Sequence, residues 1–262
     1  MVSSAAQIQG ALAAYEFEPF FQPIIDLLDF SLVGFEALAR WRHPRRGVVE
    51  PGEFVSVAEE SGLIRAIDSA ILDGSWQAIE AALEATPDFA HPLQLSVNLS
   101  ATHLIDMSVV DRMAPLVEAG LGRRWKLQFE LTETLRITDL DLAVGILNEL
   151  RALGISIALD DFGTGYSGLA YLHRLPIDCI KIDRSFLKSV THSPRGRAII
   201  RSMVNLAQSI GVSAVAEGVE TERTAEALRG LGCRYAQGLY FSAPIPGDDL
   251  PRYLERMSVG RA

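Results

Sequence analysis

The chain has 262 residues, 48% of them hydrophobic and 22% charged, which is enough apolar side chain for a large core and excludes global disorder. Its 33 acidic against 24 basic residues give a net charge of −9, a surface that repels duplex DNA or RNA while leaving room for a small anion held locally by metal ions or one arginine. No apolar run approaches the roughly 18 residues of a membrane span, and Met1 to Gln7 show no basic stretch leading into an apolar block, so the expectation is a cytoplasmic protein without a secretory leader.

Short apolar runs alternate with longer helical patterns, as in βα units. Residues 1–16 read as a lead-in, followed by strands Phe20–Ile25, Leu32–Leu38, Leu93–Leu99 and Lys126–Leu131. A helix opens after Thr138 as N-cap, with Asp139 and Asp141 in its first turn, and stops at Gly154. Strands Ser156–Asp160 and Cys179–Ile182 come next, then a helix from Ser193-Pro194 to Gly211 with proline at its first position. Strand Ser213–Glu217, a helix from about Thr221 to Arg229 closed by Gly230 and Gly232, and a short strand near Tyr235–Tyr240 complete the pattern. Residues 251–262 read as a tail. No linker, low-complexity tract or charge block intervenes, so residues 17–250 are expected to form one domain.

Eight strands with interleaved helices suggest a TIM-like (β/α)8 barrel, although a doubly wound sheet alternates in the same way. Strand parity bears on the choice. Gln94, Ser96 and Asn98 share a face against Leu93, Leu95, Val97 and Leu99. Likewise Lys126, Gln128 and Glu130 oppose Leu127 and Phe129, while Ser156, Ala158 and Asp160 oppose Ile157 and Leu159. Cys179, Lys181 and Asp183 oppose Ile180 and Ile182. One face suits outer helices; the other is small or polar and ends in a functional group. In a barrel those ends converge at the C-terminal mouth.

The converging set is Glu36, Asn98, Glu130, Asp160, Asp161, Asp183 and Glu217, with Lys181. So many carboxylates repel one another and raise their pKa values unless cations neutralise them. Oxygen donors without His or Cys favour Mg²⁺ or Mn²⁺ over zinc. The five histidines form no H-E-x-x-H pair, and Cys179 and Cys233 form no C-x-x-C, reading instead as reduced core thiols. The adjacent Asp160-Asp161 suggests one carboxylate bridging two ions, the arrangement used for in-line attack on phosphorus. Chemistry alone therefore points to a metal-dependent phosphoester hydrolase.

These residues fall in motifs that resemble the EAL domain family. They are Gln22-Pro23-Ile24, Glu36-Ala37-Leu38-Ala39-Arg40-Trp41, Val97-Asn98-Leu99-Ser100, Glu130-Leu131-Thr132-Glu133, Asp160-Asp161-Phe162-Gly163-Thr164-Gly165-Tyr166-Ser167, Lys181-Ile182-Asp183 and Ala216-Glu217-Gly218-Val219-Glu220. Gln237-Gly238 and Pro244 come after them in the same order, and the match runs from Phe17 to Pro246.

The resemblance implies a bacterial signalling phosphodiesterase that opens cyclic di-GMP to linear 5′-pGpG with two Mg²⁺ or Mn²⁺ ions. Glu36, Asn98, Glu130 and Asp160 match the ligands of one metal, and Asp160 with Asp161 those of the second. Glu217 matches a residue acting as general base or as metal ligand, and Lys181 a lysine contacting the attacking water or the phosphate. Read from the residues alone, Lys181 is also open to being a buried lysine paired with Asp183, and the two roles can coexist. Arg40 matches the arginine that grips a substrate phosphate. Gln22 and Gln237 match groups around the guanine and backbone, with Leu38 and Asp183 in the same substrate-binding set. Asp183 and Glu220 also match supports that fix Lys181 and the metal ligands. Glu133 matches an anchor for the mobile loop after Ser156–Asp160, through which relatives dimerise.

Asp161-Phe162-Gly163 is shared with protein kinases, but the other kinase signatures are missing. There are two departures from the family pattern: Gly168 replaces the second serine of Tyr-Ser-Ser, and Asp26–Ser31 lacks the usual turn glycine. The rival expectations are a catalytically silent cyclic-di-GMP receptor or interaction module and a hydrolase of another phosphodiester.

Overall fold

The computed structural model describes residues 4–89, 91–118, 124–133, 139–165 and 172–259. The expected helix cap Thr138 and loop residues Tyr166, Ser167 and Gly168 lie outside them.

The strands are β1 (Phe17–Asp26), β2 (Leu32–His43), β3 (Gly47–Val49), β4 (Leu93–Asn98), β5 (Trp125–Thr132), β6 (Ser156–Phe162), β7 (Cys179–Ile182), β8 (Ser213–Ala216), β9 (Tyr235–Gln237) and β10 (Ile245–Pro246). Pairing runs β1-β2-β4-β5-β6-β7-β8-β9 and returns to β1, closing an eight-stranded barrel, while β3 and β10 add edges to β2 and β1. From β2 round to β9 the barrel strands are parallel; β1 runs against both neighbours. That reversal follows from chain length. Residues 27–31 are too few for the crossover that a parallel pair needs, so β1 and β2 form a hairpin, paired from Phe17↔Trp41 to Ile25↔Leu32.

This hairpin turns without glycine. Phe30 adopts a left-handed φ of 58°, and the Asp26 and Asp29 carboxylates accept from the Leu28 and Ser31 amides at 2.9 Å each. Arg234 clamps Asp26 from the neighbouring strand end at 2.7 Å.

Helices α1 (Ala5–Ala13), α2 (Val55–Glu60), α3 (Ile64–Ala85), α4 (Ser108–Glu118), α5 (Leu140–Ala152), α6 (Arg184–Leu187), α7 (Pro194–Ser209), α8 (Glu222–Gly230) and α9 (Leu250–Val259) accompany the strands. Local chemistry sets their ends. Ser4 and Gln7 form a reciprocal capping box on α1, Ser193 caps α7 ahead of Pro194, and Thr221 caps α8. Asp139 is the cap of α5, accepting from the Leu142 amide, so it stands just before the first turn rather than within it.

Ala143, Ile146, Leu147 and Leu150 of α5 repeat at helical spacing and are fully buried against the barrel. They share one cluster with Leu95, Val97, Phe129, Leu131, Ile157, Leu159 and Ile180, the apolar strand faces expected to meet helices. Each buried Leu, Ile, Val or Phe side chain contributes roughly 1.5–3 kcal/mol by leaving water. The terminal helices pack there too, through Ile8 of α1 and Leu250 and Leu254 of α9. No helix among the described residues is long and apolar enough to cross a membrane.

Candidate active site

The inward faces build the site in layers. Deepest lie Ile24, Ala158, Cys179 and Val215, beside a polar brace in which Gln94 and Ser96 donate to Gln128 Oε1 at 2.7 and 3.0 Å. Above them stands Lys181, 1% exposed, with its ammonium in a cage of four carboxylates. Nζ lies 2.6 Å from Glu130 Oε2, 2.6 Å from Glu217 Oε1, 3.1 Å from Glu36 Oε2 and 3.5 Å from Asp160 Oδ1. Asp183 is absent from this cage. Its carboxylate accepts from the Ser185 amide at 2.9 Å and caps α6, so the Lys181–Asp183 pairing read as an alternative does not form.

The remaining expected residues surround this cage unevenly. Gln237 donates to Glu36 Oε2 at 2.6 Å and to Gln22 Oε1 at 3.0 Å, and Gln22 donates to the Ser242 carbonyl at 3.1 Å. Asn98 approaches Glu36 Oε1 at 3.4 Å. Glu220 is exposed and lies outside the cage. Arg40 is buried near the rim, paired with Glu50.

Period-two alternation would send Asp161 away from the mouth. The β6–β7 register shifts between Leu159 and Phe162, and Asp161 takes a left-handed φ of 55°. This bulge turns the second carboxylate back, so Asp160, Asp161 and Glu217 place oxygens within 4.8 Å of one another. The Asp161 amide donates to Asp160 Oδ1 at 2.8 Å, which steadies the turn. Glu133 secures the chain just beyond this bulge. Its carboxylate accepts from the Gly163 amide at 2.6 Å, and a Cβ on Gly165 would stand 2.9 Å from its Oε1. Next to Glu217, Gly218 has φ +70°, and a Cβ there would meet the Arg184 Cβ at 2.5 Å.

Electrostatics in the cage derive from one ammonium shared among several acids. Burial would strip Lys181 of its proton, but Asp160, Glu130, Glu217 and Glu36 together hold its pKa well above the usual lysine range. Burial, then Glu36, pushes Glu130 well above the carboxylate range. Glu217 is pushed up to about 8, by burial against the pull of Lys181. Burial and Asp160 raise Asp161. Burial also works on Glu36, but Lys181 and Gln237 outweigh it and hold this carboxyl low.

A cation fits this set. Glu36, Glu130 and Asp160 also bring oxygens within 4.8 Å of one another. Glu130 Oε1 is buried and accepts no hydrogen bond among the described residues, an orphan that a hard cation would satisfy.

Glu36, Leu38, Asn98, Asp160 and Asp161 line a cavity of about 630 Å³ together with Ile64, Ile67 and Ile71 of α3. Three residues around it escape a reading of the sequence: Glu50, Asp68 and His103. Asp68 accepts from the Ser100 amide at 3.1 Å and faces His103 Nε2 at 3.3 Å, tying α3 to the segment after Asn98. Its signal is an acid four residues after Ile64 and three before Ile71, within the buried stripe of a helix. Glu50 directly follows β3, whose pairing of Trp41 with Val49 carries it to Arg40.

A family model described as the EAL domain matches residues 5–244 of the chain. The chain is 37% identical over 249 residues to cyclic di-GMP phosphodiesterase NbdA of Pseudomonas aeruginosa, covering 95% of this chain and 31% of NbdA. It is 37% identical over 247 residues to the probable cyclic di-GMP phosphodiesterase PdeG of Escherichia coli K12, covering 94% and 48%. It therefore spans less than half the length of either relative. Among solved structures, the PaMucR phosphodiesterase in its c-di-GMP complex superimposes with a TM-score of 0.82 at 36% identity, over 94% of this chain and 98% of that one.

Proposed function

The chain belongs to the EAL domain family, and from that premise we propose that it is a metal-dependent phosphodiesterase opening cyclic di-GMP to linear 5′-pGpG. The observation that carries this reading is the cage of four carboxylates around Lys181 at the barrel mouth, whose members all stand at the family's motif positions. Relatives named as cyclic di-GMP phosphodiesterases supply the substrate class.

Glu36, Asn98, Glu130 and Asp160 would hold one Mg²⁺ or Mn²⁺, and Asp160 with Asp161 a second, with Glu217 beside the pair. Such ions supply positive charge that polarises a phosphoryl oxygen and acidifies water. Lys181, kept protonated by its cage, contributes a fixed positive charge and a hydrogen-bond donor next to the reacting group. Glu217, whose side chain is 18% exposed, lies where it can take the proton of the attacking water. The water oxygen bonds to phosphorus, the bond to the 3′ oxygen breaks, that oxygen takes up a proton from solvent and leaves as a hydroxyl, and a 5′ phosphate remains on the linear product. Arg40, Gln22, Gln237 and Leu38 would hold the dinucleotide, with Asp183 and Glu220 as supports at the edge.

We place this reaction in the cytoplasm, where the buried thiols Cys179 and Cys233 stay reduced. A homodimer through the loop after β6 belongs to the same proposal, and a monomeric mass persisting at high concentration in light scattering would contradict it.

The deciding experiment compares cyclic di-GMP, linear pGpG and a second cyclic dinucleotide side by side with Mn²⁺, together with calorimetric binding of each. Accumulating pGpG and the highest kcat/KM for cyclic di-GMP support the proposal. Tight binding without turnover would give the receptor reading instead.

A further inference from the structure

Arg40, which the proposed reaction needs for a substrate phosphate, already holds an anion. It stands in phase with Glu36 and Leu38 on β2, one residue past the stretch 36–39 that lines the cavity. Its side chain is 8% exposed and its Nη2 lies 3.0 Å from Glu50 Oε2. The Nη1 donates to the Ala39 carbonyl at 2.9 Å, and the guanidinium carbon sits 5.8 Å from the Phe20 ring centroid. Glu50 differs in kind. It lies between β3 and the 3₁₀ turn Pro51–Glu53, next to the cavity-lining Pro51, and its side chain is 68% exposed.

We propose that Glu50 is an intramolecular competitor for Arg40, a carboxylate that substrate phosphate must displace, and that it thereby sets the KM. The proposal rests on the cyclic-di-GMP reading above. A guanidinium fork offers the same N–H pair to a carboxylate as to a phosphate. Cyclic di-GMP carries two phosphodiesters and is a dianion. If a phosphate takes over Nη2, the Arg40–Glu50 contact is lost. If Glu50 stays, two anions crowd one guanidinium. Both routes oppose binding, so the sign of the effect does not depend on which is taken.

Arg40 does not need Glu50 to stay in place. Burial, the Ala39 carbonyl and the Phe20 ring hold it where it stands. Glu50, by contrast, has its side chain 68% exposed and can swing into water, where solvent screens its half of the pair. The contact is therefore suited to exchange rather than to stability.

Glu50→Gln keeps the shape of the side chain and removes its charge. The expected result is a KM for cyclic di-GMP lower by about threefold, with kcat unchanged. The effect should disappear in an Arg40→Ala background, where KM is raised whichever residue stands at position 50. Normal wild-type turnover with a Glu50→Gln KM equal to or above wild type overturns the competitor alone. So does an equal fall in the Arg40→Ala background, which would mean a general charge effect. A wild-type protein that neither binds nor hydrolyses cyclic di-GMP overturns the underlying reading and the competitor with it.

Discussion

Lys181 is the residue on which the site's electrostatics turn. An ammonium at 1% exposure is tolerable only because four carboxylates surround it, and those carboxylates in turn rely on it. Lys181→Met fills a similar volume and leaves the acids without their internal cation. In chelator the expected loss of stability is about 3–5 kcal/mol, read from the urea midpoint. Added Mn²⁺ should recover much of it, because a divalent ion can stand in for the lost charge. Turnover should fall at least about 100-fold even with metal present, since the donor beside the phosphoryl group is gone. An unchanged midpoint in chelator would mean that the cage carries far less negative charge than its geometry implies.

At the scale of elements, the loop after β6 is tied down from β5. Glu133→Ala removes the acceptor of the Gly163 amide and frees the turn that presents Asp160 and Asp161. We expect kcat to fall about 10- to 100-fold, with the Mn²⁺ requirement shifted to higher concentration. A shifted melting temperature with intact kcat would reduce Glu133 to a structural tie. The β1–β2 hairpin gives a second test. Phe30 is held at φ 58°, where a β-branched side chain is strained, so Phe30→Val should cost roughly 1 kcal/mol in urea unfolding and Phe30→Gly should not.

These elements also mark what the sequence makes legible. Alternating residues put Gln94, Ser96, Asn98, Gln128, Glu130, Ala158 and Lys181 on one face, and in the barrel they line the interior, because a parallel strand packed on helices has only one apolar partner layer. Asp161 is reached through its motif and not through periodicity, since a bulge breaks the period at that point. The reversed direction of β1 is available from the short connection to β2, but strand counting alone passes over it. Asp139 rather than Thr138 caps α5, and two adjacent cap-forming residues are hard to rank without the backbone angles. Asp68 and His103 lie far apart in sequence and meet only by tertiary contact, whereas Glu50 is carried to Arg40 by the β2–β3 hairpin, in which Trp41 pairs with Val49.

For the molecule as a whole, the buried acids link folding to protons and cations. Glu217 is raised to about 8 and Glu130 is raised well above the carboxylate range. A folded-state pKa above its unfolded value means that the native chain binds more protons between them. This cluster's contribution to stability therefore falls as pH rises from about 4.5 to 8. In chelator, the melting temperature should reflect that loss on moving from about pH 5.5 to about pH 8. Cations that bind the deprotonated cluster reverse it, so Mn²⁺ should raise the melting temperature more at the higher pH. An equal rise at both would place the ions elsewhere.

The most direct measurement of the central claim is chromatographic. Wild-type protein and Glu36→Ala are incubated with cyclic di-GMP and Mg²⁺ or Mn²⁺, with a chelated sample alongside. Linear pGpG is expected from the wild type with metal, and none from the chelated sample or from Glu36→Ala. Product formed equally in all three would contradict the role given to the carboxylates, and a wild type without turnover or binding would contradict the cyclic-di-GMP assignment itself.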